Sequence, residues 1–232
     1  MSEPLLLAKA LTKSYIIASR TLDVLRGVDL DVARGDFLAL RGASGAGKST
    51  LLHLIGGLDS PNSGQILFEG RDVAQFSERE LTHFRNRRVG FIFQAYHLLP
   101  ELTALENVCL PARIARVPSA AAKNRALALL GEVGLGDRIE HKPYELSGGE
   151  QQRVAIARSL IAGPELILAD EPTGNLDSRT GMEIIELLKN LCVQTNAALI
   201  IATHDSKVAA AARRVIELAD GRVAAVNVGS MD

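Results

Sequence analysis

Short apolar runs and longer amphipathic stretches alternate along the 232 residues of this chain. Residues 28–32 alternate between apolar and polar positions, as a half-buried strand does, and the next run, Phe37–Arg41, is apolar enough for a central strand. Two later apolar runs, 166–169 and 198–202, predict buried strands, and residues 182–191 between them predict an amphipathic helix. Strands that alternate with helices in this way indicate a layered α/β fold.

Two predicted hairpins add further β-structure. The run 63–68 leads into the turn Glu69-Gly70 and predicts a hairpin at a sheet edge. Near the end of the chain, the strand-like residues 214–226 surround Asp220-Gly221, a dipeptide that strongly favours a hairpin turn. One more short strand is predicted at Val89–Phe93, so β-structure lies on both sides of the middle third.

The middle third of the chain has a different pattern. From about residue 104 to residue 133 the periodicity is helical and alanine is abundant, and this pattern ends near Lys142-Pro143. Strand–helix alternation resumes only after it. We therefore predict one domain over residues 1–232, with a core formed by 1–94 and 164–232 and an inserted helical subdomain over about 95–163.

Composition and charge exclude several classes of function. Hydrophobic residues make up 47% of the chain, which is enough for a packed core and too many for a disordered chain. The formal net charge is −1, so no general basic field would hold the chain on nucleic acid or on an anionic membrane. Basic residues do cluster at Arg85, Arg87 and Arg88, but Glu78 and Glu80 precede them, and we expect a solvated helix face there.

The cysteines and the apolar runs indicate the compartment. Cys109 and Cys192 have no ligand-like spacing, so we expect two buried thiols in a reducing compartment rather than a disulfide or a metal pair. Residues 1–4 lack the basic start and the apolar stretch of a signal peptide. No apolar run approaches the roughly 20 residues that cross a bilayer, and we expect a soluble, cytoplasmic chain.

A glycine-rich loop carries the first chemical signal. It matches G-x-x-x-x-G-K-[ST] between a predicted strand and a predicted helix, the context that a phosphate-binding loop requires. Glycines let backbone N–H groups approach phosphates, and the helix start adds roughly half a positive charge. Lys48 is predicted to reach the β- and γ-phosphates and Ser49 to offer its hydroxyl to Mg²⁺; an ordinary glycine turn is the weaker alternative. The predicted nucleotide-binding residues of this loop are Gly42, Ala43, Ser44, Gly45, Ala46, Gly47, Lys48, Ser49 and Thr50.

Two acidic residues end the apolar run 166–169. Asp170 and Glu171 would lie at the carboxyl edge of the sheet, where α/β proteins bind ligands. Asp170 suits the Mg²⁺ shell, usually through water, and Glu171 is placed to accept a proton from an attacking water. A solvated strand end before Pro172 is the alternative, and the phosphate-binding loop argues against it.

A second glycine-rich turn, Leu146-Ser147-Gly148-Gly149-Glu150, opens another predicted helix and offers further backbone N–H groups to an anion. Gln94 follows the strand at 89–93, and His204 follows the strand at 198–202. Each of these two residues is a weak signal alone, because glutamine is common on surfaces and histidine at a strand end is usually structural. Their order along the chain, between and after the glycine-rich turns, makes them informative.

In this order of motifs the chain resembles the ATP-binding subunits of ABC transporters, over essentially its whole length. The run Leu-Ser-Gly-Gly-Glu-Gln-Gln-Arg at 146–153 is the most specific match, because other phosphate-loop ATPases lack it. The resemblance implies a phosphate-loop NTPase core of ABC type, an antiparallel β subdomain and an inserted helical subdomain. It also implies hydrolysis of ATP with Mg²⁺ and a head-to-tail pair of chains around two ATP molecules.

The resemblance gives each matching residue near the phosphate-binding loop a role. Tyr15 would stack on adenine, in a contact of the kind worth ~1–3 kcal/mol, although an ordinary aromatic residue at a strand end is the alternative. Glu171 would be the general base, and His204 would contact the γ-phosphate and orient the water. Gln94 would touch Mg²⁺ or the attacking water and report on the membrane partner.

The second glycine-rich turn would act on the other copy of the chain. Ser147, Gly148 and Gly149 would grip the nucleotide bound to the opposite copy, and Asp177 would lie across the dimer interface from the other active site. Many ABC subunits have Ser-Ala where this chain has Gly174-Asn175. This departure indicates a subfamily rather than lost activity.

Finer resemblance lies in the runs 91–100, 103–108 and 169–177, which are similar to the lipoprotein-releasing (LolD) and macrolide-exporter (MacB) branch. Members of this branch work with integral membrane subunits that transmit force to the periplasmic side. The run 54–59 favours the lipoprotein-releasing type, which implies a peripheral subunit at the cytoplasmic face of the bacterial inner membrane. A MacB-like exporter of drugs or peptides and a cell-division-type complex that signals are the alternatives.

The segment 95–102 leaves two interpretations open. Tyr96, Leu98, Leu99 and Leu102 are either core residues of the helical subdomain or the lining of a groove that receives a short coupling helix from the membrane subunit.

Three other classes of protein share parts of this pattern. A soluble ABC ATPase acting on DNA or ribosomes usually has a long coiled coil or two ATPase domains in one chain, and this sequence shows neither. A nucleotide kinase lacks the run 146–150. A regulatory module that signals through a membrane partner uses the same motor, so the sequence does not exclude it.

Overall fold

The computed structural model describes residues 3–228, in which the strands form two sheets. The smaller sheet is antiparallel in the order β2-β1-β4-β5, and the larger has the order β10-β9-β3-β8-β7-β6. In chain order the strands are β1 (Leu6–Ile17), β2 (Arg20–Val32), β3 (Phe37–Arg41), β4 (Ser63–Phe68), β5 (Arg71–Asp72), β6 (Val89–Phe93), β7 (Leu166–Asp170), β8 (Ala198–Thr203), β9 (Arg214–Ala219) and β10 (Arg222–Val228). The helices are α1 (Lys48–Ile55), α2 (Glu78–Arg87), α3 (Ala104–Ile114), α4 (Ser119–Glu132), α5 (Gly148–Leu160), α6 (Ser178–Thr195) and α7 (Ser206–Ala210).

The larger sheet brings four candidate segments to one edge. Strands β9, β3, β8, β7 and β6 run parallel, and only the hairpin partner β10 runs antiparallel. Phe93 lies opposite Asp170, and Asp170 lies opposite Ala202. Because parallel strands end at the same edge, the residues after β3, β6, β7 and β8 meet there, as the predicted α/β fold requires.

The central strands are buried on both faces, which explains their continuous apolar runs. Leu166 and Leu168 pack into the cluster that joins α1 and the smaller sheet. Ile167 and Ala169 pack into the opposite cluster, which joins α3–α6. Each fully buried leucine or isoleucine stabilises the fold by about 1.5–3 kcal/mol. This packing on both faces of the sheet holds the edge with the candidate site rigidly in place.

The chain between β6 and β7 carries α3, α4 and α5, which pack on one another. The helical pattern predicted over 104–133 is two helices, because residues 115–118 interrupt it with Arg116 at φ +57° and Pro118 before α4. Thr103 and Glu106 form a capping box that starts α3. No helix within residues 3–228 is both long enough and apolar enough to cross a membrane.

The arginines of α2 and the residue after it do not form the solvated face that we expected. Arg85 and Arg87 donate hydrogen bonds to the backbone carbonyls of Gly57 and Ala115, at 3.1 and 3.2 Å. Arg88 pairs with carboxylates of neighbouring segments. All three are half-buried, because the long apolar stem of arginine packs inside while the guanidinium finds acceptors. The prediction was wrong on this point.

The two cysteines give a direct test of the core. Cys109 and Cys192 are both buried, and neither forms a disulfide. Burial raises the pKa of the Cys192 thiol to about 12 and also raises the pKa of Cys109. Since the thiolate is the reactive form, we expect neither thiol of the folded chain to react with an aromatic disulfide reagent at pH 8. Both should react after unfolding in guanidinium, and rapid release of chromophore from the folded chain would contradict this packing.

Candidate functional site

The glycine-rich loop joins β3 to α1 and ends at Gly47, the residue that caps α1. Gly47 has φ +100°, and a Cβ at this position would lie 2.7 Å from Cδ2 of Leu25 and 3.0 Å from the carbonyl oxygen of Val24. A side chain is therefore excluded both by the backbone conformation and by space. Glycine allows the loop to wrap closely around the start of α1, where free N–H groups attract anions.

Lys48 is held inside this loop. Its side chain is only 7% exposed, and Nζ donates hydrogen bonds to the carbonyl oxygens of Gly42 and Ala43, at 2.9 and 3.1 Å. Nζ also lies 3.7 Å from Oε1 of Glu171. A phosphate oxygen would offer the ammonium a charged acceptor in place of neutral carbonyls, which roughly doubles the strength of such a hydrogen bond.

Glu171 lies directly after β7 in a strained conformation. Its φ is +46°, and its backbone N–H donates to the carbonyl oxygen of Ala202 at 2.9 Å. Such a conformation costs about 1–3 kcal/mol for a non-glycine residue and is typical of functional sites. Oε1 of Glu171 lies 3.0 Å from Nδ1 of His204. The turn thus holds one carboxylate between the ammonium of Lys48 and the imidazole.

A cavity of about 810 Å³ brings most of the predicted residues together. Its volume lies within the range of ligand sites in proteins. The residues that line it are Leu22, Val24, Ala43, Ser44, Gly45, Gly47, Lys48, Ser49, Thr50, Gln94, Glu171 and His204. Sequence reasoning missed Leu22 and Val24, although their i, i+2 spacing places them on one face of β2 and Leu22 is a half-exposed apolar residue.

Asp170 lies at the end of β7, beside this cavity. Its Oδ1 is buried and has no hydrogen-bond partner within residues 3–228. An orphaned buried carboxylate oxygen is costly and calls for a partner. Asp170, the hydroxyl of Ser49 and the amide oxygen of Gln94 are hard oxygen donors of the kind that Mg²⁺ prefers. The residues present therefore fit a magnesium site.

Tyr15 lies outside the lining of the cavity. Its hydroxyl donates to Oδ2 of Asp59 at 2.9 Å, and Nζ of Lys13 lies 5.0 Å from the ring centroid. Burial and the Asp59 carboxylate raise the pKa of Tyr15. Its neighbour on β2, Leu22, does line the cavity. Adenine stacking by Tyr15 stays a prediction.

The second glycine-rich turn also lies outside this cavity. Ser147 is exposed and caps α5, with its hydroxyl accepting from the N–H of Glu150 at 3.3 Å. The Glu150 carboxylate accepts from the N–H of Ser147 at 2.8 Å, which lowers the pKa of Glu150. Gly149 packs against Thr180, next to Asp177, which caps α6. Ser147, Gly149 and Asp177 thus belong to one surface, distinct from the cavity that the glycine-rich loop lines.

Residues 94–97, directly after β6, are held on two sides. Nε2 of Gln94 donates to Oδ1 of Asn175 at 3.2 Å, and Nδ2 of Asn175 donates to the backbone oxygen of Gln94 at 2.9 Å. Arg158 of α5 donates to the backbone oxygens of Tyr96 and His97, at 2.6 and 2.5 Å. The sequence marks Asn175 only as a departure from the Ser-Ala of many ABC subunits and does not indicate its contact with Gln94. Arg158 was missed altogether, because nothing in the local pattern marks it.

A groove of about 310 Å³ lies between β6, α2, α3 and α5. Its lining includes Phe91, Phe93, His97, Pro111 and Ile114. Of the segment 95–102, only His97 lines this groove, and Leu98 packs against the core. Each of the two interpretations of that segment therefore holds in part. Leu98 packs on the core, whereas a groove is present but is lined mostly by residues outside 95–102.

Known proteins that are similar to this chain agree with the family that its motifs indicate. The family model described as "ABC transporter" matches residues 25–174. The chain is 54% identical to the lipoprotein-releasing system ATP-binding protein LolD of Geobacter metallireducens, over 93% of this chain and 96% of that protein. It is 48% identical to the macrolide export ATP-binding/permease protein MacB of Nitrosomonas europaea, over 97% of this chain and 34% of that protein.

Solved structures agree with the fold. The chain superposes with a TM-score of 0.89 on the ATP-binding cassette MJ0796, in a dimeric post-hydrolysis state bound to ADP and Pi. The two chains are 40% identical, and the match covers 96% of this chain and 98% of that chain.

Proposed function

This chain belongs to the ABC transporter family and is one of its ATP-hydrolysing subunits, and we propose that two copies close head to tail around two ATP molecules to drive a membrane partner that releases lipoproteins. The 54% identity with LolD over 96% of its length supports the choice of cargo. The observation that carries the two-copy mechanism is the separation of Ser147 and Gly149 from the cavity of the phosphate-binding loop.

Hydrolysis begins from the arrangement around Glu171. When phosphate oxygens replace the carbonyls that hold Lys48, its ammonium balances charge on the nucleotide. Glu171 then takes a proton from the attacking water. A carboxylate only accepts hydrogen bonds, so Nδ1 of His204 donates to Glu171. In the neutral imidazole Nε2 then accepts from the attacking water, and a hydrogen bond to the γ-phosphate requires a proton on Nε2 as well.

A magnesium ion would be held by Ser49, Gln94 and Asp170, alongside the phosphates. The chemistry that Mg²⁺ would supply there is neutralisation of the negative charge on the phosphates of the nucleotide. The buried Oδ1 of Asp170 would then gain the partner that no residue within 3–228 supplies, directly or through water.

The second copy completes each site. Ser147 and Gly149 of one chain would meet the γ-phosphate bound to the other, with Asp177 at the same interface. The dimeric state of MJ0796 with ADP and Pi supports this assembly. ATP then bridges the two chains, and its hydrolysis releases them, a conformational step of the kind that often limits turnover.

The membrane partner would reach the site through the groove beside β6. Ile114, which lines this groove, is 61% exposed, and the rings of Phe91 and Phe93, which also line it, stack with centroids 5.8 Å apart. The apolar side chains of this groove suit the apolar face of a short helix. His97 in its lining connects the groove to Gln94, three residues earlier. On this proposal the subunit lies peripherally at the cytoplasmic face of the inner membrane.

Ile114→Asp is expected to abolish most of the rise in ATP hydrolysis that the membrane partner causes, while hydrolysis by the isolated subunit stays unchanged. A carboxylate buried at the helix contact carries a desolvation cost, and the groove arginines Arg85 and Arg158 already donate to backbone carbonyls. Phosphate release with and without the reconstituted membrane subunits measures both quantities.

Val193→Asp is the matched control, because Val193 is 65% exposed on α6 and does not line the groove. Equal stimulation of the Ile114 and Val193 variants would place the partner elsewhere.

Lipoprotein release itself is tested by reconstitution with integral membrane subunits of a lipoprotein-releasing system. Proteoliposomes that carry a lipid-anchored protein should lose it to a soluble acceptor only when ATP is supplied. The 48% identity with MacB favours a second candidate, the ATPase of an exporter. ATP-dependent movement of a drug or peptide, with no loss of the lipid-anchored protein, would establish the exporter instead.

A further inference from the structure

We propose that Asn175 is a positioning residue that sets which atom of the Gln94 carboxamide faces the metal, and that Gly174 is glycine so that this carboxamide can lie against the turn. The inference rests on the proposed function in one respect, the role of Gln94 toward Mg²⁺. It concerns the two positions at which this chain departs from the Ser-Ala of many ABC subunits.

Asn175 contacts Gln94 twice. Its Oδ1 accepts from Nε2 of Gln94 at 3.2 Å, and its Nδ2 donates to the backbone oxygen of Gln94 at 2.9 Å. The second bond fixes the orientation of the Asn175 amide, since only its nitrogen can donate to a carbonyl. Oδ1 of Asn175 therefore faces the Gln94 side chain. Because Oδ1 only accepts hydrogen bonds, it pairs with the amide nitrogen of Gln94 and not with the amide oxygen.

The consequence falls on the other atom of the same carboxamide. With Nε2 engaged, Oε1 of Gln94 forms no hydrogen bond within residues 3–228, and Gln94 lines the cavity with Ser49 and Glu171. A carboxamide coordinates a hard cation through oxygen only. Gln94 is exposed, so without Asn175 solvent can bond either the nitrogen or the oxygen of its amide. The amide can then take both orientations, and its oxygen faces the metal for only part of the time.

Gly174 makes room for this arrangement. A Cβ at Gly174 would lie 2.7 Å from Nε2 of Gln94, 2.9 Å from Cδ and 3.2 Å from Cγ. The backbone of Gly174 has no positive φ, so the turn itself would accept alanine. Glycine is needed here for the side chain of Gln94 rather than for the conformation of the turn.

Asn175 also joins Gln94 to the surface that contains Ser147, Gly149 and Asp177. Asp177 lies two residues further along the same turn and caps α6. When a second copy contacts Asp177, its effect would therefore be transmitted to Gln94 through the short segment 175–177.

The test compares binding of a non-hydrolysable ATP analogue with Mg²⁺ and with EDTA, by titration calorimetry. Loss of one or two net hydrogen bonds predicts that Asn175→Ala and Gly174→Ala each weaken the Mg²⁺-dependent affinity about 3- to 10-fold. Affinity in EDTA should stay unchanged. Asn227→Ala, at an exposed asparagine of β10, is the matched control and should change neither value.

The same two substitutions are then placed in a Gln94→Ala background, where they should add no further loss. A further loss of affinity in that background would indicate a structural role of the turn and would overturn the inference. An equal loss of affinity in Mg²⁺ and in EDTA would overturn it as well. If Gln94→Ala has an effect and Asn175→Ala has none, only the inference fails. If Gln94→Ala itself leaves the Mg²⁺-dependent affinity unchanged, the proposed role of Gln94 fails and the inference fails with it.

Discussion

Glu171→Gln is expected to slow ATP hydrolysis on the order of 10²-fold or more, with ATP binding retained. Glutamine keeps the shape of the side chain and can still contact Nδ1 of His204, but it has no carboxylate to take the proton of water. The phosphate-binding loop and Lys48 are unchanged, so the nucleotide still enters. Phosphate release at saturating Mg-ATP measures the loss, and equilibrium binding of ATP measures what remains.

The same variant should accumulate as a dimer, because closure no longer ends in hydrolysis. Light scattering in Mg-ATP is expected to give twice the 24.8 kDa mass of one chain, and the mass of one chain without nucleotide. Glu186→Gln is the matched control, since Glu186 is exposed on α6 and lies outside the site. A Glu171→Gln variant that stays monomeric in Mg-ATP would contradict closure around the nucleotide.

The strands that hold the site could be predicted from sequence because they are buried on both faces. Residues 166–169 and 198–202 are continuous apolar runs, and each is followed by a site residue at the same sheet edge. The first strand, Leu6–Ile17, was not predicted. Its pairing shifts register between Ala8 and Leu11, with Ala10 at φ +47°, and this irregularity breaks the alternation that marks a strand.

The site itself was predictable where its chemistry is local and not where it depends on distant neighbours. The phosphate-binding loop is a contiguous motif, so its position at the start of α1 followed from sequence. Asn175 lies 81 residues from Gln94, and no pattern in either segment indicates their contact. The arginine cluster was misjudged for the same reason, since the exposure of Arg88 depends on Glu165, 77 residues away.

Mixing two inactive variants is expected to restore hydrolysis if each site is shared between chains. Lys48→Ala removes the cation of the phosphate-binding loop, and Ser147→Arg blocks the exposed turn that meets the nucleotide of the other copy. Each variant alone should lose activity on the order of 10²-fold. In a mixed dimer one site combines both damaged elements and the other combines both intact ones, so random pairing gives about a quarter of normal activity.

The pairing of variants distinguishes a shared site from a site within one chain. Lys48 and Glu171 lie 3.7 Å apart in the same chain, so Lys48→Ala mixed with Glu171→Gln leaves no intact site in any dimer and should stay inactive. Ser147 lies outside that cavity, and only its variant should complement Lys48→Ala. If neither mixture recovers activity although a tagged copy of one variant retains the untagged other variant in ATP, Ser147 serves its own chain. The head-to-tail arrangement would then be wrong, because two intact elements on different chains would have met without forming a working site.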